Sequence, residues 1–532
     1  MVNMKYHYLV SFLTLAKCIL AQFCPDYSNF SQQPHEPYSS GIHKLSYQRP
    51  IPACRTFNSS AMESLLTSMQ SNITDPDLYR LFQNTYPNTL DTAIKWRGHA
   101  ANNTAEELTF IITGDINAMW LRDSANQLQS YLPLLKAEKD WNGMDGLGSL
   151  YRGVINLQAR YILTSPYCNS FQPPKESGIP PATNDAAAND VVEPPYDQAK
   201  VFECKYELDS LASFLQISSD YYEATGDGAF FGRFQWASAI QAIMNVARAM
   251  QTPTYGDDGM VLQSPYMFTR QTTRATETFT NDGLGNPVVN GTGLIRSGFR
   301  PSDDATIFQL FVPSNMMFVS YLSACAAIMK ELGASASESL ASEMEALAGD
   351  VKSGIEQYGV VALAPTPDHS HSEAGTIYAY EIDGFGSVNI MDDANIPSLL
   401  SAPLLGYLDR SEEVYQRTRK RILDYHTVSG NPYFMRGPVI NAVGGPHAGP
   451  GMAWPMASIV RIMTSDDDGE ILQSLRELVG STDGLGLMHE SVNTFDAGKW
   501  TRQWFSWANG LFGQMILDLA DRKPGILRES FQ

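Results

Sequence analysis

Ser297-Gly-Phe-Arg-Pro-Ser-Asp-Asp-Ala-Thr-Ile-Phe308 reads as a loop that turns into a helix. Pro301 is tolerated just before or inside a first helical turn, and Ser302 has the side chain of an N-cap. Ile307, Phe308, Leu310 and Phe311 then supply apolar positions. This reading sets two adjacent carboxylates, Asp303 and Asp304, beside Arg300 at the mouth of a core helix. Such a pair can simply cap the helix, whose positive dipole end favours anions. It can also carry chemistry, and the rest of the chain bears on that choice.

Outward from this stretch, apolar residues recur at spacings of three and four, the pattern of amphipathic helices. Helices are predicted over 61–69, 75–84, 124–138, 145–164, 208–224, 228–250, 313–332, 336–358, 411–425, 455–463, 469–479 and 507–521. They fall into pairs joined by short turns and separated by longer loops, as helical hairpins packed side by side require. About six such pairs point to an all-α fold, a closed ring of inner and outer helices. Strand-like alternation is confined to pieces such as 359–364 and 376–380. Residues 169–198, rich in Pro, Ala and Asn, read as a surface insertion rather than a lid.

The 532-residue chain is 43% hydrophobic, enough for a large core, and its formal net charge is -20. A nucleic-acid partner would call for a basic face. The one dense basic run, Arg417-Thr-Arg-Lys-Arg421, reads as a solvated helix face. Residues 1–21 have the form of a secretory signal, with Lys5, an apolar run over 9–21 and cleavage after Ala21. That run is shorter than the ~20 residues that span a bilayer, and no other stretch reads as a membrane span. Residues 22–57 read as an extended arm and 58–532 as one domain, the ring of helix pairs. Asn29, Asn58, Asn72, Asn102 and Asn290 each begin an Asn-X-Ser/Thr triplet, which fits a secreted, N-glycosylated protein. Cys18 lies in the signal. Cys24 and Cys54 flank the arm, and Cys168 and Cys204 flank a second irregular segment, so each pair reads as a staple. Cys325, in an apolar helical run, reads as a buried free thiol.

Polar clusters recur where helices meet loops. Thr113-Gly-Asp-Ile-Asn-Ala-Met-Trp-Leu-Arg-Asp123 brings Asp115, Trp120, Arg122 and Asp123 to a helix start. Indole can hold the apolar face of a sugar, and an Arg–Asp network can hold vicinal hydroxyls. In Cys204-Lys-Tyr-Glu-Leu-Asp209 the alternation of Lys205, Glu207 and Asp209 puts all three on one side of an extended segment. Met391-Asp-Asp-Ala-Asn-Ile-Pro-Ser398 repeats the paired carboxylate before a helix, with Asp392, Asp393 and Asn395. Gly444-Gly-Pro-His-Ala-Gly-Pro-Gly-Met-Ala-Trp454 presents His447 and Trp454 on a glycine loop. Leu487-Met-His-Glu-Ser491 carries His489 and Glu490, and Arg502 follows.

In a ring of helix pairs these loops converge at one end, as an acidic pit lined by aromatic residues. Glycosidic hydrolysis needs a protonated carboxyl to donate to the leaving oxygen and a second group as base or nucleophile. A like-charged neighbour raises one pKa of a carboxyl pair. The Asp303/Asp304 pair can therefore keep one member protonated, with Arg300 tuning the other.

The Gly-Asp-Ile-x-Ala-Met-Trp-Leu-Arg-Asp, Arg-Pro-Ser-Asp-Asp-Ala, Met-Asp-Asp-Ala-Asn and Met-His-Glu-Ser runs closely resemble glycoside hydrolase family 125, the exo-α-1,6-mannosidases, across about residues 59–521. The resemblance implies an (α/α)6 barrel, inversion at the anomeric carbon and no metal or other cofactor. It implies an aspartate acid in Arg300–Ala305 and a glutamate base at Glu490. The acid falls on Asp303 or Asp304, and Asp303 is chosen because related inverting barrels place the acid first in such a pair. Asp115, Trp120, Arg122, Asp123, Glu207, Arg300, Asp304, Asp392, Asp393, Asn395, His447, Trp454, His489 and Arg502 are then candidate contacts to a mannose-containing oligosaccharide, N-glycan or mannan. The enzyme is expected to act as a monomer, without nucleic acid or stable membrane insertion. The arm and the Pro-rich insertion look like those of fungal members.

Three other readings compete. One is a metal-dependent α-mannosidase using His447 and His489 with carboxylates, although no tight ligand spacing is present. Another is a catalytically silent glycan-binding barrel, which needs neither Asp303 nor Glu490. The third is a hydrolase for another sugar, such as an α-glucosidase, on the same barrel.

Overall fold

The computed structural model describes residues 24–143, 145–363, 375–424 and 430–532. The expected signal sequence, with Cys18, lies outside them, as do the last residues of the predicted segments 359–364 and 411–425.

The fold is predominantly helical. Among the described residues the longer helices are α1 (Ser60–Met69), α2 (Pro76–Thr85), α3 (Leu121–Gln129), α4 (Leu147–Thr164), α5 (Leu208–Thr225), α6 (Trp236–Ala249), α7 (Val312–Glu331), α8 (Ser335–Gly354), α9 (Glu413–Ile422), α10 (Pro455–Met463), α11 (Asp468–Gly480) and α12 (Ser506–Arg522). Their bounds follow local chemistry. Ser59, Asp75, Glu412 and Asp467 accept backbone N–H groups at the starts of α1, α2, α9 and α11. The helix predicted over 124–138 breaks into α3 and a short Leu132–Ala137 helix, because Pro133 has no N–H to continue the ladder. The span 228–250 likewise divides, into Gly228–Phe231 and α6.

α3 packs on α5, α5 on α7, α10 on α12, and α12 back on α3. α7 also packs on a single 3-10 turn, Ala402–Leu405. Around these lie α2 against α12, α4 against α5, α8 against α7 and α11 against α10. In α10 every residue except Arg461 is buried. α7 is long and apolar enough to cross a membrane by length and composition, contrary to the sequence reading. It is 72% buried over that window, inside protein rather than lipid.

The all-α expectation understates the strands. Seven small sheets are present among the described residues. The largest strands, β1 (Ile94–Ala100) and β2 (Asn103–Ile111), form an antiparallel hairpin packed on α4. The two predicted strand pieces do form, as Val360–Ala362 and Thr376–Tyr378, and pair with each other. The run 417–421 lies in α9, where Arg417 pairs with Glu413 and Arg419 with Glu470. Cys24–Cys54 and Cys168–Cys204 are both bonded, and Cys325 is buried and free. All five Asn-X-Ser/Thr asparagines are exposed.

The opening stretch differs from its reading. Residues 300–309 are irregular, and α7 begins at Val312, with Pro313 in its first turn. The cause is Glu381. It accepts the backbone N–H of Ile307 at 3.1 Å and of Phe308 at 3.3 Å, and Leu310–Phe311 pairs with Glu381–Ile382 as strands. These bonds hold the segment extended, so the aspartates sit in a loop well ahead of the helix and its dipole.

Candidate active site

A cavity of ≈ 360 Å³ lies where the segments preceding α3, α5, α7, α10 and α12 meet. Trp120, Arg122 and Asp123 come from the start of α3, and Lys205 from the segment between the Val201–Glu203 strand and α5. Ser302 and Asp303 come from the loop before α7. His447 and Trp454 precede α10, and Glu490, Arg502 and Phe505 precede α12. Asn395 completes this part of the wall. Backbone close approach shapes it: a Cβ on Gly114 would lie 2.3 Å from the Trp504 carbonyl oxygen, and one on Gly445 would lie 2.5 Å from Asp393 Oδ1.

Asp303 adopts φ +68°, a left-handed conformation that costs a non-glycine residue on the order of 1 kcal/mol. Lys205 holds it there by donating from Nζ to the Asp303 carbonyl at 2.9 Å. Arg122 Nη2 lies 3.6 Å from Asp303 Oδ1, and Arg122 Nη1 lies 2.5 Å from Glu207 and 3.0 Å from Asp209. Burial raises the Asp303 carboxyl, but Lys205, Arg122 and a bond from Glu207 outweigh it and hold it down at about 2. Burial pushes Glu207 well above the usual carboxylate range. Asp303 and Asp209 add to that rise as like charges, and Arg122 opposes it.

Glu490 faces the cavity from another loop. Thr501 Oγ1 donates to its Oε2 at 3.0 Å, and Arg502 Nη1 lies 3.5 Å from its Oε1. Arg502, itself at φ +52°, is oriented by Asp115 Oδ1 at 2.8 Å and by Thr113 Oγ1 at 3.1 Å. Asp123 stands between the two sites, and burial pushes its carboxyl up to about 6 against the pull of Arg122 and Arg502.

Of the residues singled out in the sequence, Trp120, Arg122, Asp123, Asp303, Asn395, His447, Trp454, Glu490 and Arg502 share this one wall. The others stand behind it. Arg300 is 1% exposed and bonded to Glu381 at 2.6 Å, so it neither faces the cavity nor pairs with Asp303. Asp304 turns away from Asp303 towards Ser302 and His447. Asp393 accepts from Ser302 at 2.7 Å, and Asp392 accepts the N–H groups of Leu399 and Leu400, in a stretch with no helix to cap. His489 stacks on Trp500 at 4.4 Å, and burial lowers its pKa to about 4, which keeps it neutral. Of the two histidines of the metal reading, His447 lines the cavity and His489 does not. Asp115 and Glu207 act on Arg502 and Arg122 rather than on the cavity. The extended segment carrying Lys205 ends at Glu207, and Asp209 lies in the first turn of α5.

Sequence reasoning missed part of the wall. Asn184, Phe202, Glu203, Arg270 and Glu277 also line it, so the insertion 169–198 reaches the cavity through Asn184. Asn169, beside Cys168, donates towards both Glu207 and Asp303. The signal was available in the cysteine pairing, because a Cys168–Cys204 bond necessarily brings Asn169 and Lys205 together.

Residues 75–517 match the family described as metal-independent alpha-mannosidase (GH125). The meiotically up-regulated gene 157 protein of Schizosaccharomyces pombe is 45% identical over 508 residues, spanning 95% of this chain and 94% of its own. Among solved structures, a metal-independent alpha mannosidase of Streptococcus pneumoniae, in a non-productive complex with alpha-1,6-mannobiose, is similar with a TM-score of 0.74. It is 31% identical, and the match covers 88% of this chain and 100% of that one.

Proposed function

The chain belongs to the metal-independent α-mannosidases of family GH125, and from that premise we propose an exo-acting, inverting enzyme that releases terminal α-1,6-linked mannose. That it is a glycoside hydrolase follows from the family; the linkage and stereochemistry are the proposal. The observation that carries it is one cavity walled by Asp303 and Glu490, each on a different helix-preceding loop and each beside its own arginine.

Asp303 donates a proton to the glycosidic oxygen, and Glu490 takes a proton from the water that attacks C1 on the opposite face. Such a pair needs carboxyls about 6.5–9.5 Å apart, to leave room for the water. Trp120, Trp454 and Phe505 supply apolar faces, and Arg122, Asp123, Asn395, His447 and Arg502 the polar contacts to the terminal mannose. Likeness to the pneumococcal relative, seen with alpha-1,6-mannobiose, supports the linkage. Inner helices packed α12–α3–α5–α7 and α10–α12, with outer partners, support an (α/α)6 barrel in which the turn at Ala402–Leu405 stands for one inner helix. Two disulfides and five exposed glycosylation triplets support a secreted glycoprotein with a stapled arm before the catalytic domain. The test is release of mannose from α-1,6-, α-1,3- and α-1,2-mannobiose in the presence of a chelator. Turnover of the α-1,6 isomer alone is expected, and equal turnover of all three, or none, refutes the reading.

A further inference from the structure

Glu207 and Asp303 are bridged twice. Asn169 Nδ2 lies 3.3 Å from Glu207 Oε1 and 3.4 Å from Asp303 Oδ1. Arg122 approaches the same two carboxyls, at 2.5 Å and 3.6 Å. Their access differs: the Glu207 side chain is 0% exposed, whereas that of Asp303 is 24% exposed and lines the cavity. A sugar can therefore touch Asp303 but not Glu207. Asn169 is itself fixed on three sides. Its carbonyl accepts the Leu121 N–H at 3.0 Å, and its side-chain oxygen accepts the Lys205 N–H at 3.1 Å. The Cys168–Cys204 bond ties together the residues that precede Asn169 and Lys205.

We propose that Glu207 and Asp303 form a two-carboxyl proton donor with one proton between them, and that Asn169 is the positioning residue that sets the pair. This rests on the reading of Asp303 as the group that meets the glycosidic oxygen. The proton held on Glu207 passes to Asp303, leaving Glu207 as an anion against Arg122. As the bond between C1 and the glycosidic oxygen breaks, its electron pair stays on the oxygen, which takes the proton from Asp303. The attacking water gives its own proton to Glu490. After the products leave, solvent returns one proton to the pair and Glu490 loses one, so the cycle balances. The arrangement answers a difficulty at the site: Asp303 alone, between Lys205 and Arg122, gives up its proton too readily to serve as an acid.

The test compares kcat/KM against pH for α-1,6-mannobiose and for 2,4-dinitrophenyl α-mannoside, whose leaving group needs no proton. Asp303→Asn examines the underlying reading: loss on mannobiose with activity kept on the aryl mannoside identifies the donor, and equal loss on both refutes it. Glu207→Gln examines the inference. It should lower mannobiose turnover about 10²–10⁴-fold, keep aryl mannoside turnover within a few-fold, and move the basic limb to lower pH. Asn169→Ala removes a donor that favours the ionised pair, so its basic limb should move to higher pH. Opposite shifts in the two variants support the pair. A basic limb that stays in place in both overturns it, as does equal loss on both substrates. If Glu207→Gln does not fold, the limb of Asn169→Ala decides alone.

Discussion

Arg502 Nη1 lies 3.5 Å from Glu490 Oε1, and the same guanidinium is anchored to Asp115 at 2.8 Å across the wall of the cavity. Glu490 is therefore held by a charge that is itself held, at the end of a strand whose Thr501 supplies its other contact. Glu490→Gln keeps the shape and the Thr501 and Arg502 neighbours but cannot accept a proton from water. It should lower kcat about 10²–10⁴-fold while mannose still binds, as steady-state kinetics and calorimetry would read. A variant with near-native kcat would remove Glu490 from the base role.

Asp303 and Asp304 are adjacent in sequence yet separate in duty. Asp303 opens to the cavity, and Asp304, 1% exposed, faces Ser302 and His447. Asp303→Asn should abolish mannobiose hydrolysis at unchanged melting temperature. Asp304→Asn should retain most of kcat and act mainly through KM or stability. The reverse order would move the donor to Asp304.

Arg300 and Glu381 form an ion pair enclosed by protein, 1% and 0% exposed. Glu381 also fixes the loop that carries Asp303, through the N–H groups of Ile307 and Phe308. Removing one partner strands the other charge, so Arg300→Met should cost about 3–5 kcal/mol in urea unfolding, with lost activity following the lost loop. A change under about 1 kcal/mol would show that the pair is dispensable.

Asp220 is buried in α5 away from the cavity, and burial, then Glu223, pushes its carboxyl up to about 8, against Lys136. A carboxyl with a raised folded pKa favours the folded state at low pH. Between about pH 4, where the unfolded chain ionises, and about pH 8, that contribution falls, and above pH 8 it is gone. Asp220→Asn cannot ionise, so its stability relative to the native protein should grow across this window by a few kcal/mol. A pH-independent difference would contradict the buried neutral carboxyl.

How much of this was legible in the sequence depends on how local each cause is. Helices such as Pro455–Met463 were readable almost to the residue, because their apolar spacing and Pro455 at the first turn are local signals. The cysteine pairs were readable because each flanks a segment with no helical period. The loop at Asp303 was not, because its shape comes from Glu381, some eighty positions away. Sequence adjacency suggested Asp304 as the proton-sharing partner, whereas the fold supplies Glu207 through Arg122 and Asn169. His489 looked like a site residue because it precedes Glu490, but its ring stacks on Trp500 and bonds the Arg502 carbonyl instead of facing the cavity.

The central claim is that Asp303 and Glu490 act as acid and base on opposite faces of one mannoside. The most direct measurement is the NMR time course of α-1,6-mannobiose hydrolysis, followed before mutarotation. The account predicts that β-mannose forms first, and α-mannose as the first product would contradict it.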